Sequence, residues 1–99
     1  MALSKKITMA NGLPLEYHRV ALINIDVNHQ NTILIHSYLN EEARQYEKDY
    51  AAGKIEGEPT FPYVDPRYIP VEYDEGMTVE NAYGWIKKNL PEFEGAEDV

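Results

Sequence analysis

Three histidines, a few neighbouring carboxylates and two serines are the first candidates for chemistry in this 99-residue chain, which has no cysteine. His18, His29 and His36, with Asp26, are the candidate metal ligands. Metal sites draw on recurrent spacings, such as i and i+4 on a helix. No two of these histidines stand at such a spacing, and Asp26 and His29 flank a stretch that reads as a polar turn. No metal site is assigned. Glu41-Glu42, Asp74-Glu75 and Glu97-Asp98 are neighbours in sequence, at helix starts, turns or the chain end. Acid–base catalysis needs carboxyls that converge in a pocket with their pKa values driven apart, which adjacent surface acids do not supply. Of the two serines, Ser37 has His36 beside it, but consecutive strand residues point to opposite faces. There is no Gly-x-Ser-x-Gly, glycine-rich phosphate loop or His-Glu-x-x-His. The residues therefore point away from an enzyme: no catalytic residue and no cofactor is assigned. A small enzyme or ligand-binding domain, with a pocket near His18 and His36, stays open as an alternative.

Binding chemistry is better represented. The chain holds eight tyrosines and one tryptophan. Such side chains bury a large area while keeping a polar tip, which suits protein interfaces as well as cores. Trp85 falls off the apolar stripe of its helix, and Tyr63, Tyr68 and Tyr73 lie in a proline-punctuated segment. These four are the candidate contact residues.

The elements that must position them follow from periodicity. Lys6–Met9 alternates and is followed by Asn11-Gly12, a tight-turn dipeptide. Leu13 to Tyr17 and then Arg19 to Val27 read as extended. Ala21, Ile23, Ile25 and Val27 share one face, and Val20, Leu22, Asn24 and Asp26 the other. Asn28 to Asn31 reads as a turn, and Thr32 to Leu39 as a returning strand apolar on both faces. Asn40 before Glu41-Glu42 signals a helix start, with Leu39, Ala43, Tyr46 and Tyr50 as its stripe and a stop at Ala52-Gly53. Pro62, Pro66 and Pro70 recur every four residues between Phe61 and Tyr73. Proline has no N–H to donate, so this segment reads as an edge strand or an extended arm. Thr78 caps a second helix with Val79, Ala82, Tyr83, Ile86 and Leu90 facing the core, and Pro91 stops it.

The expected fold class is α+β: an antiparallel β-meander of three to four strands with two helices packed on one face. Residues 1–91 form one domain, and 92–99, with four acids and little to bury, an acidic flexible C-terminal tail. No stretch approaches the length of a membrane span. The net charge is −8: residues 1–50 carry five Lys/Arg against six Asp/Glu, and residues 51–99 four against eleven. Clustered cations for nucleic acid or an anionic membrane are missing, so neither is an expected partner. An acidic inhibitor or DNA mimic that occupies a basic host protein remains a second alternative.

Met1-Ala2-Leu3-Ser4-Lys5, Asn11-Gly12 and Tyr17-His18-Arg19 resemble the openings of small phage and prophage proteins of Gram-positive bacteria. Tyr73, Met77-Thr78-Val79-Glu80, Ala82-Tyr83 and Phe93-Glu94-Gly95-Ala96 resemble their endings. The resemblance is loose over residues 50–70 and carries no functional residue across. It implies a product of the late or structural gene region, such as a virion tail or baseplate component. The combined expectation is a non-enzymatic protein acting through a protein partner or self-association, cytoplasmic at synthesis and then virion-borne.

Overall fold

The computed structural model describes residues 2–8, 12–54 and 64–99, with Val64 as backbone alone. Its elements are β1 (Leu3–Thr8), β2 (Pro14–Asp26), β3 (Gln30–Tyr38), α1 (Glu41–Ala51), β4 (Val64–Glu72), α2 (Val79–Asn89), a 3₁₀ turn (Pro91–Phe93) and β5 (Glu97–Asp98). The class is α+β. One antiparallel sheet runs in the order β4-β3-β2-β1-β5, five strands where three to four were expected.

The fifth strand comes from the segment expected to be a free tail. Phe93 is 1% exposed, in one cluster with Leu3, Ile33, Ile35 and Ile86. Glu97 and Asp98 pair with β1, and Ala2 and Val99 exchange backbone hydrogen bonds of 3.0 Å in both directions. Lys87 reaches Asp98 at 3.1 Å, and Arg67 pairs with Glu92. Burial alone would raise the Glu92 carboxyl, but its own backbone N–H and Arg67 outweigh that and hold it low. One aromatic anchor and one strand of sheet therefore bind residues 92–99 into the domain.

The long β2 strand carries a bulge between Val20 and Leu22, where its register with β3 shifts. An extra residue on one strand reverses the alternation beyond it. Val20 and Ile23 consequently both pack against the core, while Leu22 is 54% exposed. The simple alternation expected from Arg19 to Val27 does not hold across this point. The Val20 N–H donates to the Tyr83 hydroxyl at 2.9 Å, so a side chain of α2 supplies the acceptor there.

The core lies between α2 and one face of the sheet. Ala82, Tyr83 and Ile86 from α2 join Ile33 and Ile35 from β3, Leu3 from β1 and Val71 from β4. Thr78 and Asn81 form a reciprocal capping box at the start of α2. Val79, expected to face the core, is exposed. The contacts of α1 fall on the opposite face, because β3 alternates without interruption and Tyr38 points away from Ile35 and Ser37. The Tyr38 hydroxyl accepts from Arg19 Nε at 2.9 Å and donates to Glu47 at 2.8 Å, and Arg44 pairs with the same Glu47 carboxylate. The two helices thus do not share a face. Asn40 caps α1 by accepting from the Ala43 N–H, and Gly53 takes φ +75° just past its end.

The proline-rich segment places β4 at the sheet edge, beside β3. Phe61, Pro62 and Tyr63 lie outside the described residues. Pro66 and Pro70 sit opposite His36 and Thr32. Having no N–H, they occupy positions whose backbone groups face away from β3, which removes two donors from the free edge.

Candidate binding cleft

A cleft of about 910 Å³ opens where the β2–β3 turn, the C-terminal end of β4 and α2 meet. His29 and Gln30 line it from the turn; Val71, Tyr73 and Asp74 line it from the end of β4. Met77, Trp85 and Asn89 close it from the side of α2. Each element has a local reason to be there. The turn is set by Asn28, which takes φ +60°, a conformation that asparagine tolerates better than most residues, and by the His29 N–H donating to the Asp26 carbonyl at 3.0 Å. Trp85 is half-buried beside the α2 stripe and packs against the core cluster while lining the cleft, and its carbonyl accepts from Asn89 Nδ2 at 2.9 Å.

The loop between β4 and α2 is held by one buried side chain. Asn31, fully buried in β3, donates through Nδ2 to the Asp74 carbonyl at 2.8 Å and accepts from the Asp74 N–H at 3.2 Å. The Asp74 carboxylate accepts from the Gly76 N–H at 3.0 Å, and the Met77 N–H closes on the Asp74 carbonyl. The asparagine amide mimics a backbone partner and pins the walls of the cleft to the sheet. The sequence pattern makes Asn31 the last residue of a turn, whereas it is a buried residue of β3. The available signal was its phase, since it stands at i−2 to Ile33 and i−4 to Ile35.

Of the four expected contact residues, the structure brings Trp85 and Tyr73 into this cleft. Tyr68 lies on the other face, cross-strand from Leu34 and 66% exposed. Tyr63 lies outside the described residues. The cleft also gains Asp74, Met77 and His29, which carried no motif. Its lining includes Glu72 and Asp74 but no lysine or arginine, and neither acid makes an ion pair among the described residues.

The histidines do not converge. His29 pairs with Asp26 at 2.9 Å across the exposed turn. His18 and His36 stand one register position apart on β2 and β3, on opposite faces. His18 is 1% exposed, under the edge of Phe93 with ring centroids 5.0 Å apart. Its Nε2 is 2.7 Å from the Lys5 carbonyl, which can only accept, so Nε2 carries the proton. Nδ1 then accepts from the Ser37 hydroxyl, also at 2.7 Å. Burial lowers the His18 pKa, partly offset by the Lys5 carbonyl. This is a serine–histidine pair in a sealed layer, and the cleft beside Trp85 is not lined by it. Burial also lowers the His36 pKa, helped by Arg19, and among the described residues His36 Nδ1 has no hydrogen-bond partner. Among the described residues no three His, Asp or Glu side chains converge as a metal site, and no helix is long and apolar enough to cross a membrane.

No protein-family model, curated protein or solved structure matches the chain.

Proposed function

We propose that this protein is a non-enzymatic module acting through protein–protein contacts, with the Trp85–Tyr73 cleft as its contact surface. One observation carries the reading. Two aromatic side chains from separate elements line a single cleft, whose connecting loop is fixed by the buried Asn31. Preorganised aromatic anchors of this kind concentrate binding energy, because little side-chain freedom is lost on contact. Two polar groupings are engaged within the fold: His18 with Ser37, and Arg19, Arg44 and Glu47 with Tyr38.

The resemblance to phage and prophage proteins supplies the setting: a component made in the cytoplasm and carried into a virion, in the tail or baseplate. Purified particles from an induced lysogen provide the test. The tagged chain should band with particles at constant stoichiometry, and Trp85→Ala should abolish incorporation while leaving the circular dichroism spectrum intact. A chain absent from particles would overturn the virion assignment. Incorporation indifferent to Trp85→Ala would remove the cleft as the contact.

A further inference from the structure

We infer that the Trp85–Tyr73 cleft is selective for a cation, and that its occupant is an arginine side chain of a partner protein. This rests on the contact reading above and names the chemistry that the same cleft recognises. The argument begins with charge. Among the described residues the lining includes Asp74 and, from the strand phase of Tyr68, Glu72, with no lysine or arginine and no ion pair to either acid. Among the described residues, the one lining group that can carry positive charge is His29, which already faces Asp26. An unneutralised carboxylate beside aromatic walls in a concave site attracts a cation more strongly than it would on an open surface.

The wall chemistry narrows the choice. Indole and phenol rings present negative π faces, and a guanidinium stacks on such faces while its flat edge donates hydrogen bonds to a carboxylate. Asp74 is suited to the second task, because the Gly76 N–H engages its Oδ1 and, among the described residues, no hydrogen bond or ion pair engages its Oδ2. Met77 adds a polarisable apolar surface for the aliphatic stem of an arginine. A compact, strongly hydrated ammonium would use the charge but not the stacking. An acidic peptide, nucleic acid or anionic lipid would be repelled by the cleft and by the −7 balance of residues 51–99.

Trp85 is the only tryptophan, so its emission reports directly on the cleft. The probe is a short capped Gly–Ser peptide with one central arginine, compared with the same peptide carrying citrulline, lysine or glutamate. The arginine peptide should change Trp85 emission saturably, more tightly than lysine, with citrulline and glutamate inert at the same concentrations. Affinity should fall about fivefold in Asp74→Asn, which keeps a side-chain oxygen for the Gly76 N–H but loses the charge. A similar loss, read by calorimetry, is expected for Trp85→Leu, while Glu16→Gln on β2 makes the same charge change without effect. Thermal melts of each variant establish that the fold persists. Equal binding of the citrulline peptide, or no saturable response to arginine, overturns the inference. A chain that enters particles through Trp85 yet ignores the arginine peptide would sink this inference alone. A chain that binds the peptide but is absent from particles would sink the virion reading and leave the cation preference standing.

Discussion

Ser37 Oγ lies 2.7 Å from His18 Nδ1 across the β2–β3 ladder, and the other nitrogen of the same ring lies 2.7 Å from the Lys5 carbonyl. Both sequence neighbours of Ser37 point to the other face; its partner is the residue opposite it on β2. The pair joins three strands beneath Phe93, where burial favours the neutral imidazole.

That preference sets a pH dependence. Burial holds the His18 pKa below its ordinary value of 6.5, whereas the unfolded chain titrates near that value. Between the two, the unfolded state binds the proton and the folded state does not, so stability falls as pH falls through that window and is fully present above it. His36 is lowered in the same direction and adds to the slope. Urea titrations at pH 7.5 and in steps below 6.5 should show a falling midpoint, and His18→Gln should shrink the drop. A midpoint constant across this range would refute the neutral-imidazole account.

Ser37→Ala tests the pair without removing the ring. It leaves a buried ring nitrogen without its donor, which costs about 1–3 kcal/mol. Denaturant unfolding at pH 7.5 should show this loss, and Ser4→Ala, on the part-exposed β1, should cost less.

Phe93→Ala should cost about 3 kcal/mol or more, because it empties a site enclosed by Leu3, His18 and Ile86. Glu94→Ala, one residue on and exposed, should be close to neutral. Equal behaviour of the two variants in thermal melts would return residues 92–99 to the status of a tail.

The main elements were legible because they follow periodicity and punctuation. Asn40 and Thr78 are both helix caps in the structure, and Pro66 and Pro70 do mark an edge strand. What escaped depends on relations that no local pattern carries. The Val20–Leu22 bulge changes the phase of β2 without any glycine to announce it. A two-residue strand such as Glu97–Asp98 has no alternation to detect, and its acids read as solvent-facing, which they are. Phe93 stands among acids, and it becomes core through partners such as Leu3 and His18, far from it in sequence. For the cleft, Trp85 and Tyr73 could be named as contact residues, but not that α2 and β4 bring them together while β3 sends Tyr68 to the far face.

The prolines of β4 predict an edge that resists pairing. Replacing Pro66 and Pro70 together with threonine restores two outward N–H groups and removes the steric block from an exposed strand. Light scattering after size exclusion should show a higher apparent mass than wild type at equal concentration, rising with concentration. An unchanged mass would mean that the edge is protected by something other than proline.

Asn31 offers the sharpest link between fold and cleft. Its amide exchanges two hydrogen bonds with the Asp74 backbone, and its burial means that water cannot replace them without entering the core. Asn31→Ala should therefore cost about 1–2 kcal/mol, since it leaves the Asp74 N–H without its side-chain acceptor and the Asp74 carbonyl with the Met77 N–H alone. The consequence should extend beyond stability. The 73–77 loop would lose its anchor to β3, so Trp85 emission should shift toward that of a more hydrated indole while the far-UV spectrum stays folded. Asn31→Asp gives the complementary variant: it keeps the acceptor for the Asp74 N–H but sets a carboxylate against the Asp74 carbonyl, and should be at least as damaging. If both variants lose stability yet leave Trp85 emission untouched, Asn31 supports the sheet and not the cleft, and the preorganisation on which the contact reading depends would have to come from elsewhere in the α2 face.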